Sequence, residues 1–332
     1  MASGSELRLR LFNAYAAQLT AMGRVFAEFP KVEDKFLCPF CLQTFGRDAL
    51  YDPPRLTVEH CVPESVGGAL DTSTLICKAC NNGMGASIDT HLSRKHTADE
   101  FLAGLSSKTK RMWMEVGDGR ARAELKVTGR KGEKPKLSVI FDRSKSEPVM
   151  FDNLVRALDE GMKNPDAFKW KFDIDLRYSP RRYRVALLRI GFLMMFRQFG
   201  YPYVLDDNVA QVREQLLHPD RDIIPDSVAI HLPVVPPRIN AVGIIHKPKH
   251  LMSFAAIVRL KTESRVMYKA IVMPGLGNGS DIYAAGHTEQ QGGAPVQMDL
   301  TTFHHDLEHI SDPRFVTLSN DLWRGFERRM TV

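Results

Sequence analysis

The chain opens on a helical period. Leu7, Leu9, Leu11, Tyr15, Leu19, Met22, Val25 and Phe26 fall near a 3.6-residue repeat, so a helix with one buried stripe is expected over residues 6–29. A loop follows at 45–54. Residues 55–61 and 74–77 then read as two strands, joined by a loop from Pro63 to Thr72. A helix with Ile88 and Leu92 on its apolar stripe is expected over 78–93. Further along, 120–128 and 136–143 read as a hairpin around the turn at 129–135, and 151–162 as a helix. Residues 168–178 alternate, with Phe168, Trp170, Phe172, Ile174 and Leu176 on one side and Lys169, Lys171, Asp173 and Asp175 on the other. That is the signature of a half-buried strand.

Pro180 begins a strongly apolar helix reaching Phe199, which Gly200 and Pro202 break, and 208–217 forms another helix. From Val228 to Pro274 three or four strands are expected, with turns at 236–237, 246–250 and 262–264. A glycine-rich loop over 275–293 and a partly helical tail over 301–330 complete the chain. The expected fold class is α+β. It places a ββα module near the N-terminus, followed by an α+β region with an antiparallel sheet. The expected domains are an N-terminal helical segment at 1–35, the ββα module at 36–95 and an accessory region at 96–332.

Composition narrows the class. At 332 residues, with 44% hydrophobic and 25% charged positions, the chain can bury a sizeable core. The most apolar run, Val185 to Phe196, is too short to span a bilayer and contains Arg189. No signal-peptide pattern opens the chain, and all five cysteines fall between 38 and 80. Clustered cysteines suit a metal site in a reducing compartment better than disulfides do, so a cytoplasmic protein is expected, with no membrane partner. The net charge of +6 has the sign of something that approaches phosphates. Basic residues concentrate over 108–145, beginning with Lys108, Lys110 and Arg111, and again at Arg177, Arg181, Arg182 and Arg184. A solvated face is the bland alternative for each run.

The chemistry gathers between 38 and 81. Cys38-x-x-Cys41 and Cys77-x-x-Cys80 are two short knuckles, each supplying two soft ligands in the tetrahedral zinc pattern. Between them lies Glu59-His60, and Asn81 follows the last cysteine. Four cysteines alone imply only a staple, whereas an acid, an imidazole and an amide inside the staple point to catalysis.

This segment resembles the HNH, or ββα-metal, endonucleases, in the subclass with a four-cysteine zinc site. The first histidine of that pattern falls on His60, the Pro and Gly-Gly of the following loop on Pro63 and Gly67-Gly68, and the terminal His-or-Asn on Asn81. The middle Asn is absent. Thr72 or Thr74 stands in its region, and Asp71 or Ser73 is an alternative brace. The resemblance implies that His60 activates a water and that Glu59 and Asn81 bind a hard catalytic ion, Mg²⁺ or Mn²⁺, through oxygen. The four cysteines then hold a structural Zn²⁺, because thiolates prefer the softer metal.

Strand alternation sends Glu59 and His60 to opposite faces, so the strand is expected to end or bulge there. Asn81 has a structural alternative as a helix N-cap, with Asn82 as its substitute one residue on. Asp89 and His91 are expected to be surface or packing residues, Glu64 loop surface, and Cys61 a small buried thiol. His305 and His309 make a weak rival metal pair at i, i+4. The resulting expectation is a metal-dependent endonuclease acting on nucleic acid, chiefly DNA, in a restriction or phage-defence setting. Phosphate contacts are expected at Lys108, Lys110, Arg111, Arg181 and Arg182, with a possible protein partner for the C-terminal region. A non-catalytic zinc-ribbon module is the alternative.

Overall fold

The computed structural model describes residues 4–27, 29–69, 72–129, 136–164, 169–224, 228–236, 239–247, 252–275, 282–283, 297–299 and 308–317. The chain divides into two compact units. One comprises residues 1–92, 179–262 and 266–332, and the other 93–178 and 263–265. The helical segment 1–35 therefore falls in the same unit as the cysteine-bearing module, and the expected accessory stretch 96–332 is divided between the two.

The first unit is built around a buried helix. α5 (Pro180–Phe199) begins at Ser179, whose side chain accepts the Arg182 N–H, and places Pro180 where a missing N–H costs nothing. From Val185 to Phe196 every residue is buried, so this helix has no solvent face to speak of. It lies on an antiparallel sheet of order β13-β10-β11-β12-β9, formed by Gln297–Asp299, Ala241–Lys247, Ser253–Lys261, Val266–Met273 and Ala229–Leu232. Gly191 allows the close approach: a Cβ there would sit 2.6 Å from Met273 Sδ and 2.7 Å from Ile271 Cγ2. The expected strands over 228–274 number four, and β13 adds a fifth from beyond them. β10 runs to Lys247, so the turn expected at 246–250 begins later, and its residues 248–250 lie outside the described ones.

α1 (Gly4–Val25) is shorter than expected at its C-terminus and packs against α5. Tyr15 stacks on Phe196 with ring centroids 4.4 Å apart. Gln18 Nε2 donates to Phe199 O (3.0 Å), while its Oε1 accepts the Tyr201 N–H (2.8 Å) in the short helix α6 (Tyr201–Val204). Tyr201 OH bridges back to the N–H and C=O of Leu37 at 2.8 and 2.9 Å. The buried side chains of Gln18 and Tyr201 are thus paired, as burial demands. α7 (Asp207–Leu217) starts one residue before the expected helix, capped by Asp206.

The cysteine-bearing segment follows the β, β, α expectation, preceded by a small hairpin of β1 (Lys35–Leu37) and β2 (Thr44–Gly46). β3 (Leu56–His60) pairs antiparallel with β4 (Ser73–Cys77), from Leu56 opposite Cys77 to His60 opposite Ser73. The helix expected over 78–93 is three pieces: α2 (Lys78–Met84), a π-helical turn (Gly85–Asp89) and α3 (Thr90–Leu102). Ile88 and Leu92 are fully buried as expected. Widened turns of this kind often mark functional sites.

The second unit is a four-stranded antiparallel sheet of order β7-β6-β5-β8, from Lys136–Phe141, Gly119–Thr128, Lys110–Val116 and Trp170–Ile174. Helix α4 (Pro148–Lys163) covers its apolar face, where Leu154 is buried with Met112, Met114, Ala121, Ala123 and Leu125. The strand expected over 168–178 is confined to 170–174, and Trp170 is exposed there because β8 is an edge strand. Residues 130–135 of the expected hairpin turn lie outside the described residues. Among the described residues no helix is long and apolar enough to cross a membrane.

Candidate functional site

The first knuckle is the turn between β1 and β2. Cys38 N–H donates to Gln43 O (3.0 Å) and Leu42 N–H to Cys38 O (2.9 Å), with Leu42 at φ 57° closing the turn. The second joins β4 to α2. Cys77 is the helix N-cap, its Sγ accepting the Cys80 N–H at 3.4 Å. Asn81 therefore is not the cap, since a sulfur already fills that role. The four sulfurs lie within 4.8 Å of one another, and Cys41 Sγ stands 3.8 Å from Cys77 Sγ. A tetrahedron of zinc–sulfur bonds about 2.3 Å long has edges of about 3.8 Å. The set is positioned to hold a metal ion, and four thiolates at this spacing fit Zn²⁺. Crowding also splits the thiols electrically. Hydrogen bonding from Cys38 draws the Cys41 thiol down to about 7 and Cys77 lower still, while the same neighbours push Cys38 up. Cys61 stands apart: it is fully buried, and burial pushes its thiol up to about 12.

Glu59 and His60 end β3. The register with β4 is regular and carries no bulge, so the two side chains leave the strand on opposite faces at the point where it stops. Thr57 shares the Glu59 face, two residues earlier. Asn81 Nδ2 donates to Thr57 Oγ1 (3.1 Å), which ties the start of α2 to that face and leaves the Asn81 Oδ1 as the oxygen to offer a cation. Hard oxygen donors from Glu59 and Asn81 are the right chemistry for Mg²⁺ or Mn²⁺.

Sequence reading missed the partner of Glu59. Arg189, fully buried in α5, donates from Nη2 to Glu59 Oε1 at 2.7 Å and from Nη1 to Asp89 at 3.1 Å. The two carboxylates are 14% and 16% exposed, so solvent screens this triad little. Burial pushes the Asp89 carboxyl up to about 6, with Arg189 opposing and Glu59 reinforcing the rise. Asp89, expected at the surface or in packing, is thus one end of a buried ion network, and it sits at the end of the π-helical turn. α5 braces the hairpin a second time through Arg197 Nη1, which donates to Ser73 O (2.8 Å). His91 Nδ1 accepts the Ser179 N–H (2.9 Å), a packing role as expected. The only signal for Arg189 in the sequence was its presence inside an otherwise apolar helix.

The loop after β3 is held by its own backbone. Val66 N–H and Gly68 N–H both donate to Pro63 O, at 3.0 and 3.1 Å, and Cys61 N–H donates to Thr72 O at 2.9 Å. Gly67 adopts φ 90°, and a Cβ on Gly68 would lie 1.7 Å from Val62 O, so both glycines are structurally required. Where the middle Asn is missing, Thr72 Oγ1 donates to Ala69 O (3.0 Å) and Thr74 Oγ1 shares a hydrogen bond with Tyr15 OH (2.7 Å). Asp71 lies outside the described residues. Glu64 is exposed, as loop surface.

The basic residues divide between the units. Lys108 and Arg111 are exposed and Lys110 half-buried, all in the second unit. Arg181 and Arg182 open α5 in the first, where Arg182 makes a two-pronged pair with Asp220 at 2.8 and 2.7 Å and Arg181 lies 3.4 Å from Asp222. Arg177 pairs with Asp175. Of the rival histidine pair, His305 lies outside the described residues, and His309 hydrogen-bonds Gln198 O at 2.9 Å.

A ββα hairpin-and-helix with a four-cysteine metal site is the class that fold and geometry define. Residues 38–97 match the HNH endonuclease family, over the same stretch that carries the four cysteines, Glu59, His60 and Asn81. No curated protein and no solved structure matches the chain.

Proposed function

We propose that the protein is a metal-dependent endonuclease that hydrolyses phosphodiester bonds in DNA, by nicking or cutting, in a restriction or phage-defence setting. The observation that carries this reading is the coincidence of the family match over 38–97 with a four-sulfur site that brackets Glu59 and His60 and is followed directly by Asn81. A zinc ribbon without catalysis needs the sulfurs alone and leaves the tie from Asn81 to the Glu59 face unexplained.

His60 is the general base in this reading. A half-buried imidazole at the end of β3 accepts the proton of an attacking water as its oxygen reaches phosphorus. In-line displacement puts the attacking and leaving oxygens on opposite sides of the phosphorus. Glu59 and Asn81 would hold the hard cation, whose chemistry when bound is to neutralise charge on the phosphoryl and leaving oxygens. Cys38, Cys41, Cys77 and Cys80 would hold Zn²⁺, which keeps the strand end and helix start in register. Lys108, Lys110 and Arg111 offer cations to phosphate, and Arg181 and Arg182 do so in competition with Asp220 and Asp222.

The test is plasmid nicking with Mg²⁺, wild type against His60→Ala. The expected loss on removing a general base is about 10²- to 10⁴-fold. Equal rates in the two proteins would remove His60 from that role, and no cleavage by wild type under any divalent ion would remove the nuclease reading.

A further inference from the structure

Among its described residues the second unit has one sheet face that α4 does not cover. Its sheet packs apolar side chains against α4, and alternation sends the others outward. The registers align these outward residues: Arg111 with Glu124, Trp113 with Arg122, Glu115 with Arg120 and Lys171, and Thr128 with Lys136. Arg111, Arg120, Arg122, Lys126, Lys136 and Lys171 thus share this face with only three acids, Glu115, Glu124 and Asp173.

Two features distinguish this face from an ordinary solvated one. Two of its three acids are already engaged: Glu115 lies 3.3 Å from both Arg120 and Lys171, and Glu124 lies 3.8 Å from Arg111. Arg122 and Lys126, by contrast, have no carboxylate partner among the described residues. The second feature is rigidity. The Arg120 guanidinium lies over the Trp113 ring at 4.7 Å, which pins a cation to the sheet surface and lowers the entropy lost on binding an anion. A strand rises about 3.4 Å per residue, so Arg120 to Lys126 spread their charges along about 20 Å. One strand of a nucleic acid presents a phosphate about every 3.4 Å of axis, so a row of that length meets several in succession.

We propose that this open sheet face, centred on β6, is a nucleic-acid-binding surface that grips the sugar-phosphate backbone, with Arg122 and Lys126 as its principal phosphate contacts. Trp113 is covered by Arg120 and serves to hold that cation rather than to stack on a base. The surface contacts charge and shape, and so binds without base sequence preference. The proposal rests on the nucleic-acid reading of the chain but not on cleavage.

The experiment uses the full chain with zinc present and no added Mg²⁺, and reads fluorescence anisotropy of short labelled DNA duplex, single-stranded DNA and RNA across a salt titration. Arg122→Gln/Lys126→Gln is compared with Arg156→Gln/Lys163→Gln, an equal charge change on exposed positions of α4, across the sheet. The face variant is expected to weaken binding about tenfold or more at low salt and to reduce the slope of log K against log salt by about two. The α4 variant is expected to stay near wild type. Equal losses in both variants, or wild-type binding by the face variant, would overturn the proposal, as would absence of binding to all three probes. A wild type that binds through this face yet never cleaves would defeat the nuclease reading alone. Cleavage with wild-type binding by the face variant would defeat this surface alone.

Discussion

Replacing Arg189 with Met tests the most consequential contact in the first unit. The guanidinium is fully buried and is shared by Glu59 and Asp89, each still close to buried. Arg189→Met keeps most of the stem's volume but leaves two like charges facing each other without a counter-charge. Breaking a buried pair from one side costs roughly 3–5 kcal/mol, because the remaining charge is neither hydrated nor paired. The residual exposure of the two carboxylates places the expectation near the lower end, about 3 kcal/mol. That is a large part of a stability of about 5–15 kcal/mol. The variant Arg189→Met/Glu59→Gln/Asp89→Asn removes the stranded charges, and it is expected to regain at least half of the loss. Urea melts followed by circular dichroism, with zinc held constant, read both quantities from the midpoint and slope. An Arg189→Met protein within about 1 kcal/mol of wild type would refute the reasoning. So would a triple variant no more stable than the single one.

Three further outcomes are expected. Stripping zinc with a chelator should unfold the knuckles and lower the melting temperature, whereas withdrawing Mg²⁺ should stop cleavage with the melt unchanged; a melt indifferent to the chelator would deny the sulfurs a structural metal. Burial raises the folded-state value of Asp89 to about 6 against 3.8 unfolded, so its contribution to stability is whole below pH 4 and is lost as pH rises through 6. Asp89→Asn should therefore gain on wild type by up to about 3 kcal/mol between pH 4 and 7, and a stability gap flat with pH would count against it. Gly68→Ala drives a Cβ into the Val62 carbonyl and should cost about 2 kcal/mol or more in the same urea melts, with an unperturbed midpoint contradicting the required close approach.

Much of the candidate site could be read locally. Cys-x-x-Cys knuckles, the Glu-His pair at a strand end and the Asn after the last cysteine are short-range patterns, and the backbone places them as their spacing implies. The apolar runs likewise announced α1 and α5 within a few residues, and the expected hairpin of 120–128 and 136–143 appears as the antiparallel pair β6 and β7. What local pattern could not supply was pairing across distance. Arg189 meets Glu59 across 130 positions of sequence and Asp89 across 100. A lone charge on an apolar helix is compatible with many partners until the helix is packed. The contact between α1 and α5, through Tyr15 on Phe196 and Gln18 on Phe199 and Tyr201, has the same origin, and it joins the N-terminal segment to residues near 200.

The sequence by itself determined the four-cysteine ligand set and the strand-loop-helix order. Each follows from hydrogen-bond periodicity and ligand spacing over a few residues. Only tertiary structure decided that a guanidinium from α5 holds Glu59, that Cys77 rather than Asn81 caps α2, and that Arg111, Arg120, Arg122, Lys126 and Lys136 share one sheet face. Burial is the reason. The cost of hiding a charge is fixed by everything packed around it, and that surrounding is assembled from segments far apart in the chain.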